Sequence, residues 1–373
     1  GQVFIVNSNG VLFGKGAQVN VGGLVASTLD ISNSDFMAGN YKFSGTSNAS
    51  VVNQGRIRAR GDGQGGGYVA LLGKTVSNEG VIAAKLGTVA MAAGEQITLN
   101  FGGDSLLDVT IDKGTLNALI ANKRAIIANG GQGIMTARAA DQVLSAQVNN
   151  SGIIQARTMA ALKGGSNGTV KIGRIKLLAQ GGTTSVSGKL DASAPKGGDG
   201  GFIETSGDKV NIADSAVITT LAPDGATGMW LIDPVDFTIA AAGGDISGAT
   251  LSSLLNMTSQ GFSATNNLYV NDAVSWSANT TLTLTAGNNL YVNKAITATG
   301  ASAGLVFTAG NDINVNNAVR LDGATATLAM TYGGDYNIRT PASYAGTTTG
   351  PIYDKDGNPV YEPVAVQKVN PPL

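Results

Sequence analysis

The sequence predicts an all-β solenoid, a parallel β-helix, from three observations: a repeat of about 22 residues, strand-like alternation within each repeat, and an excess of small residues. The clearest copies begin at Leu268, Leu290 and Ile313, so that successive starts are 22 and 23 residues apart. Apolar residues alternate there with Thr, Asn or Lys, as in strands that bury one face. Gly occupies 53 of the 373 positions, and small side chains suit narrow, stacked turns.

A second signature, Asn-x-Gly-x-Ile-x-Ala, extends the repeat toward the beginning of the chain. It starts at Asn53, Asn78 and Asn150, and a looser copy covers 187–192. We expect the Asn and Gly to adopt left-handed or turn conformations between strands, with Ile and Ala pointing inward. The solenoid is therefore predicted to occupy most of the chain.

Several segments depart from this pattern. Apolar spacing over 116–127, with Thr115 as a candidate N-cap, predicts a helix that leaves the coil, and 250–256 predicts a shorter one. The stretch 352–361 predicts a hairpin around an Asp-Gly pair, and 370–373 is typical of a Pro-rich linker. Short helical and hairpin excursions are thus expected on an all-β framework.

Composition excludes several classes of chemistry. The chain has no His and no Cys, which removes disulfides, thiolate nucleophiles, imidazole bases and the commonest zinc ligands, so we expect no cofactor and no metal. A formal net charge of −1, from 24 basic and 25 acidic residues without basic runs, argues against nucleic acid or an anionic membrane as partner. No stretch of 18 apolar residues occurs, so no membrane-spanning segment is expected.

Five segments stand out in chain order: 1–14, 24–31, 148–156, 201–207 and 230–239. Together they resemble the filamentous haemagglutinin family of two-partner-secreted exoproteins. The first two are similar to its haemagglutination-activity segment, and the other three to motifs that follow that segment in the family. The resemblance covers residues 1 to 335. It implies a right-handed β-helix, export through a partner outer-membrane transporter, and a role in adhesion, aggregation, biofilm formation or haem-carrier capture at the bacterial surface.

The turn Asn7-Ser8-Asn9-Gly10 stands where the family usually has Asn-Pro-Asn-Gly. Ser still allows such a turn with Asn on either side, so we expect these four residues to form the secretion motif. The resemblance also predicts that the chain starts inside its secretion domain. The expected organisation is a haemagglutination-activity or secretion-domain β-helix without its N-terminal part, a helical excursion, further β-helix repeats, and a hairpin with a Pro-rich linker, over 1–110, 111–130, 131–340 and 341–373.

Repeated polar and aromatic positions give the candidate binding residues. Tyr269 and Tyr291 occupy equivalent positions one repeat apart, and either form an exposed aromatic ladder for a glycan or pack on each other within the fold. Asn271, Asn293 and Asn316 recur in the same way, and we expect them to form stacked ladders. Such a surface either stabilises the turns or hydrogen-bonds carbohydrate, and the sequence does not separate the two uses.

An enzymatic alternative needs neighbouring carboxylates, since polysaccharide-cleaving β-helices use them as acids and bases. Asp233 and Asp236 flank Pro234, but residues three apart in a strand point to opposite faces. We expect Trp230, just before them, to be packed inside. This pair gives weak support to catalysis.

Acidic turns give no better candidate. The turn 354–358 resembles a calcium loop only loosely, because its glycine stands at the fourth position and not at the sixth. Asp62, Asp199 and Asp208 lie in Gly-rich turns that match no phosphate-binding or calcium-binding array, so we interpret them as structural.

The favoured hypothesis is a non-enzymatic adhesin or extracellular matrix scaffold, secreted by two-partner secretion, that binds glycan or protein on a host or bacterial surface. One alternative is a β-helix enzyme that degrades polysaccharide. Another is a fibre subunit that self-associates, because the ends of a solenoid expose unpaired strands.

Overall fold

The computed structural model describes residues 1–61, 66–101, 107–141, 146–160, 170–341 and 361–363. The chain forms two compact units, residues 1–231 and 232–373. Each unit is built on stacked parallel strands, so the predicted parallel β-helix is confirmed. Within the described ranges, no helix is long and apolar enough to cross a membrane.

Among its described residues, the first unit contains one short helix and 23 strands, the last of which ends two residues beyond the unit boundary. The helix is α1 (Asn33–Ala38). The strands are β1 (Gln2–Val6), β2 (Val11–Phe13), β3 (Gln18–Val21), β4 (Gly23–Ser27), β5 (Tyr41–Ser44), β6 (Ser50–Asn53), β7 (Arg56–Ala59), β8 (Tyr68–Gly73), β9 (Thr75–Asn78), β10 (Val81–Ala84), β11 (Thr88–Ala93), β12 (Gln96–Phe101), β13 (Leu107–Lys113), β14 (Leu119–Asn122), β15 (Ala125–Ile127), β16 (Gln132–Arg138), β17 (Ala146–Asn150), β18 (Ile153–Gln155), β19 (Arg174–Val186), β20 (Lys189–Asp191), β21 (Phe202–Ile212), β22 (Val217–Thr219) and β23 (Met229–Asp233).

Each coil of this unit presents three strand faces, and strands of the same face pair in parallel from coil to coil. One face is the series β1, β4, β8, β11, β16, β19 and β21. Another is the series β3, β7, β10, β15, β18, β20 and β22. This face stacks an inward column of six fully buried residues: Ile57, Ile82, Ile126, Ile154, Leu190 and Ile218. Burial of each such side chain contributes about 1.5–3 kcal/mol.

A ladder of buried asparagines crosses the interior of four successive coils. The side-chain amide Nδ2 of Asn53 donates to Oδ1 of Asn78 (2.8 Å), Asn78 donates to Asn122 (2.8 Å), and Asn122 donates to Asn150 (2.7 Å). All four side chains are buried. Each amide therefore satisfies its neighbour where water does not reach, which is the condition for burying polar groups. The Asn of the sequence signature is an interior residue.

The expectation of left-handed or turn conformations at this signature is wrong in its left-handed part, because none of the Asn or Gly residues is among the described residues with positive φ. Gly55, Gly80 and Gly152 do lie in bends between strands. Glycine is needed there because stacked coils approach closely: a Cβ at Gly80 would collide with the carbonyl oxygen of Gly55, and one at Gly188 with that of Gly152. The constraint is space between coils, not backbone freedom.

An antiparallel sheet covers part of the first face from outside. Its strands β5, β12 and β13 pair in the order β13–β12–β5. Their side chains Phe43, Ile97 and Leu107 pack with residues of β4, β8 and β11, including Val25. Strands β4, β8 and β11 are consequently buried on both sides, and their sequences are continuous buried runs without alternation.

The helical excursion predicted over 111–130 is wrong. The segment contains β14 and β15, separated by two residues, and Ile120 is buried in register with Val76 and Val148. Thr115, the expected N-cap, forms an isolated parallel bridge with Ala139. Apolar residues also occupy outward positions of these strands, and their chance spacing imitated a helical face. The real excursion is the antiparallel pair β12 and β13, just before it.

The second unit contains one helix and 13 further strands among the described residues. They are β24 (Phe237–Ile239), α2 (Gly248–Leu255), β25 (Ser259–Ala264), β26 (Leu268–Val270), β27 (Val274–Trp276), β28 (Thr281–Ala286), β29 (Leu290–Val292), β30 (Ile296–Ala298), β31 (Gly304–Ala309), β32 (Ile313–Val315), β33 (Val319–Leu321), β34 (Thr327–Tyr332), β35 (Tyr336–Pro341) and β36 (Tyr361–Pro363).

The repeat in this unit follows the predicted spacing. Leu268 lies opposite Leu290, and Leu290 opposite Ile313, so each repeat is one coil. The predicted short helix at 250–256 is confirmed as α2, whose N-cap Ser247 accepts a hydrogen bond from the amide of Thr250. The predicted hairpin and linker lie mostly outside the described residues, apart from β36, which pairs antiparallel with β35.

An ion cluster around the buried carboxylate of Asp191 lies on the face of the first unit that contains β18 and β20. Asp191 is 1% exposed and pairs with Arg157 (2.8 Å) and Lys189 (3.1 Å), while the Ser193 hydroxyl donates to its other oxygen (2.6 Å). Burial alone would raise the pKa of Asp191, but the hydrogen bonds from Arg157, Ser193 and Lys189 outweigh it and hold the pKa at about 2. The carboxylate therefore stays charged in mildly acidic solution.

Replacing Asn78 with Ala should destabilise the protein, because it leaves the amide of Asn53 and the Oδ1 of Asn122 unpaired in the interior. The expected loss in the free energy of unfolding is about 2–4 kcal/mol. Urea denaturation measures it. Asn293→Ala, in an exposed ladder, is the matched control and should cost less than about 1 kcal/mol. Equal losses in the two variants would contradict the interior role.

Asp191 should make stability depend on acid. Its folded pKa of about 2 lies below the ordinary 3.8, so its stabilising contribution is present above pH 3.8 and is lost as pH falls through 2. We expect the stability difference between wild type and Asp191→Asn to shrink over that interval, as measured by urea denaturation at stepped pH. A difference that stays constant with pH would show that Asp191 does not carry the effect.

Candidate functional site

An outward column of polar and aromatic residues crosses the second unit. Strands β24, β26, β29, β32 and β35 pair in parallel, and their flanking residues, such as Leu268 and Val270, are buried. Because side chains alternate along a strand, the central residue of each points away from the interior. The column consists of Thr238, Tyr269, Tyr291, Asn314 and Asn337.

Tyr269 and Tyr291 stack face to face in this column. Their ring centroids are 5.1 Å apart and the ring planes differ by 5°. Both side chains are half-buried. Partial burial, with the nearby charge of Asp236 and the neighbouring Tyr291, raises the pKa of the Tyr269 phenol. A tyrosine hydroxyl is protonated at neutral pH with or without this shift, and it can donate a hydrogen bond beside a flat aromatic surface.

Asparagine ladders flank the tyrosines on both sides. On one side, Nδ2 of Asn293 donates to Oδ1 of Asn271 (2.8 Å), and Asn316 donates to Asn293 (2.8 Å), as the sequence predicted. On the other side, the backbone amide of Asn289 donates to the side-chain Oδ1 of Asn267 (3.1 Å). We name Tyr269, Tyr291, Asn271 and Asn293 the tyrosine plate. Its flat aromatic centre and amide borders match the two needs of carbohydrate recognition, stacking and hydrogen bonding.

Of the acidic pair of the enzymatic alternative, Asp236 lies close to Tyr269 of this plate. Oδ1 of Asp236 accepts hydrogen bonds from Nδ2 of Asn266 and from the amide of Asn267, both at 2.9 Å, so it holds a turn. Asp236 is exposed and Asp233 is half-buried. Trp230 is fully buried and donates to the Thr205 hydroxyl (3.0 Å), as expected of a packed residue.

The Asn7–Gly10 turn is exposed in the first unit. The amide of Asn9 donates to Oδ1 of Asn7 (3.0 Å), and the amide of Gly10 donates to the Asn7 carbonyl (3.0 Å). Gly10 has φ of 109°, a region that other residues rarely adopt. The Ser47 hydroxyl donates to the carbonyl of Ser8 from a neighbouring segment. The motif is a fixed turn with accessible side chains.

Metal-binding candidates are weak. Across the described ranges, no group of three or more His, Cys, Asp or Glu is placed to hold an ion. Oδ1 of Asp199 accepts the amide of Ala226 (2.9 Å), which is the predicted structural role in a turn. The turn 354–358 and Asp62 lie outside the described residues.

Comparison with known proteins decides the family. A family model described as the TPS secretion domain matches residues 1–194, which is more than half of the 373 residues. The chain belongs to the two-partner-secretion family. The match extends the TPS domain beyond the predicted 1–110. It includes the Asn7–Gly10 turn and the whole buried asparagine ladder, whereas the tyrosine plate lies outside it.

Two similar proteins come from Haemophilus influenzae. The TPS chain is 31% identical over 148 residues to a heme/hemopexin-binding protein, a match covering 39% of this chain and 16% of the length of that protein. It also resembles the crystal structure of the HMW1 secretion domain, with a TM-score of 0.52 and 23% identity, over 89% of this chain and 80% of that one. This second likeness supports the fold alone.

Family membership settles where the protein acts. TPS proteins are secreted across the outer membrane to the cell surface or the extracellular space. The TPS secretion domain belongs to exported proteins and is not an enzyme family. Sequence reasoning located the tyrosine plate but missed another feature, the row Arg56, Arg58 and Arg60. Its signal was a cation at every second position of a strand, which places all three on one face.

Proposed function

We propose that this TPS protein is a non-enzymatic adhesin or extracellular matrix scaffold that binds glycan through the tyrosine plate. The observation that carries the proposal is the coplanar pair Tyr269 and Tyr291, bordered by asparagine amides. Sugar rings present apolar C–H faces and equatorial hydroxyls, which such a plate meets by stacking and by hydrogen bonds. The repeat makes the plate regular, so it suits a linear glycan lying across successive coils.

The stacking also has a structural use, because each ring covers the other. One further feature favours recognition. The side-chain amides of Asn271 and Asn293 border the rings at the surface. A pair that served packing alone would gain little from polar borders. The second possibility for the acidic residues, catalysis, has less support, since Asp236 is already engaged by Asn266 and Asn267.

Export is proposed to depend on an outer-membrane partner transporter that recognises the TPS domain. The exposed Asn7–Gly10 turn supplies a rigid element for that recognition, and its side chains Asn7 and Ser8 are open to solvent. The proposal is supported by the family membership of residues 1–194 and by the resemblance of this turn to the family motif.

Tyr269→Ala and Tyr291→Ala should each weaken glycan binding about 10-fold, since each removes one stacking surface. A glycan array with neutral and acidic oligosaccharides identifies the ligand, and titration calorimetry then measures affinity. Tyr291→Phe should retain binding, because it keeps the ring. Thr285→Ala, on an outward position of β28, is the control for a change elsewhere in the unit. Unchanged affinity in both alanine variants, or glycan turnover by the wild type, would refute the proposal.

Gly10→Ala should reduce secretion several-fold, because alanine is strained at φ of 109° and its Cβ would lie 3.3 Å from the Ser50 carbonyl oxygen. The measurement is the extracellular fraction of the protein in cells that express the partner transporter. Ser8→Pro is the matched control. It restores the residue usual in the family, its lost amide makes no described hydrogen bond, and it should be exported normally. Full export of Gly10→Ala would refute the role of the turn.

A further inference from the structure

A row of arginines projects from the face of the first unit that contains β3, β7 and β10, near its first coils. Arg56, Arg58 and Arg60 alternate with Ile57 and Ala59, which are buried. The three guanidinium groups therefore emerge from one side of β7, at intervals of about 6.8 Å along the backbone. This is a local concentration of positive charge in a chain whose net charge is −1.

Two adjoining clefts follow this row. The larger, of about 720 Å³, has all three arginines in its wall together with Gln18 and Asn20. The smaller cleft, of about 310 Å³, is lined by residues that include Lys15, Gln54, Arg56, Val81 and Arg124. No Asp or Glu lines either cleft. Five cations thus surround a continuous open surface.

These cations are unpaired. In the part of the chain that the structure describes, Lys15, Arg56, Arg58, Arg60 and Arg124 form no ion pair and no side-chain hydrogen bond. Charges on the same face that serve stability are paired there, as Arg157 is with Asp191. The carboxylate of Glu79, beside the smaller cleft, is itself held by Lys123 at 2.9 Å. The guanidinium donors are therefore free for an external anion.

An outward-facing apolar strip, half-buried at Val81 and Ala125 and exposed at Ile153, continues from the arginines along the stack. Register places Arg56 beside Val81, then Ala125, then Ile153, whose side chain is 44% exposed. A parallel column from Arg58 continues through Ala83 and Ile127. Two steps of about 4.8 Å, from Val81 to Ala125 and from Ala125 to Ile153, give an apolar strip about 10 Å long. Outward positions of a solvated sheet are normally polar, so an apolar strip next to free cations indicates an amphiphilic ligand.

We propose that this surface binds a phosphate-bearing membrane lipid, with the arginines on the headgroup phosphate and the strip Val81, Ala125, Ile153 against an acyl chain. Guanidinium groups bind phosphate through paired N–H donors, and their planar fork suits it better than an ammonium group does. A purely polar polyanion would use the arginines and leave the strip in water. TPS proteins cross the outer membrane to the cell surface or the extracellular space.

This surface belongs to the first unit and is independent of the tyrosine plate in the second. The proposal departs from the sequence expectation that an anionic membrane is no partner, because that expectation used the average charge of the chain. Alternation along β7 concentrates charge that the average conceals. Membrane affinity of this kind adds an electrostatic and an apolar contribution, each modest alone.

The test measures co-sedimentation of the chain with phosphatidylcholine vesicles, with and without phosphatidylglycerol. Wild type should bind only the vesicles that carry phosphatidylglycerol. The triple variant Arg56→Gln, Arg58→Gln, Arg60→Gln should bind on the order of 100-fold more weakly, since each of the three cations contributes a similar share of the binding free energy at an anionic surface. Ile153→Ser should bind about 5-fold more weakly, through a loss that added salt does not change.

The matched control is the triple variant Lys196→Gln, Lys209→Gln, Lys294→Gln, which removes the same charge from three exposed, unpaired lysines and should bind as the wild type does. Circular dichroism verifies that each variant is folded. Equal weakening in both triple variants would overturn the proposal. A second result would also overturn it: Ile153→Ser binds the vesicles as tightly as wild type, and soluble glycerol phosphate or an acidic polysaccharide competes fully. That result would show a site for a polar anion and not for a lipid.

Discussion

Register between successive coils is the constraint on which the rest of this structure depends. Parallel pairing sets each residue directly above its counterpart in the previous coil, about 4.8 Å away. Apolar columns such as Ile57, Ile82 and Ile126 are then buried continuously, although no single coil has a core of its own. The same register aligns Asn53 with Asn78, so that amides deep inside satisfy one another. A slip of one residue would turn every inward side chain to solvent.

Part of the fold is visible in the sequence because the register repeats there without interruption. In the second unit, Leu268, Leu290 and Ile313 mark successive coils, and each coil has only short connections. In the first unit, inserted antiparallel strands separate residues that stack, and β4, β8 and β11 lose their alternation because they are covered on both sides. The false helix over 116–127 has the same origin: outward residues of β14 and β15 are apolar too, so periodicity in one segment does not identify its face.

The candidate surfaces show a similar division. Tyr269 and Tyr291 were predictable because a repeat of 22 residues places them on one column, and their stacking follows from coil spacing. The interior position of Asn78 could not be predicted from the sequence, since a polar residue is buried only when a neighbouring coil supplies its hydrogen-bond partner. The arginine row escaped notice for another reason: Lys15 and Arg124 join it only through the folding of three coils. Stacking thus creates both the core and the surfaces that face a ligand.

We expect stacked register, locked by the buried asparagine ladder, to make four coils of the TPS domain one cooperative unit. Native-state amide hydrogen exchange in low denaturant tests it most directly. The amides of β6, β9, β14 and β17 should share one opening free energy and the same dependence on denaturant, as expected of residues that open together. Four separate opening free energies, decreasing coil by coil toward one end, would contradict the account.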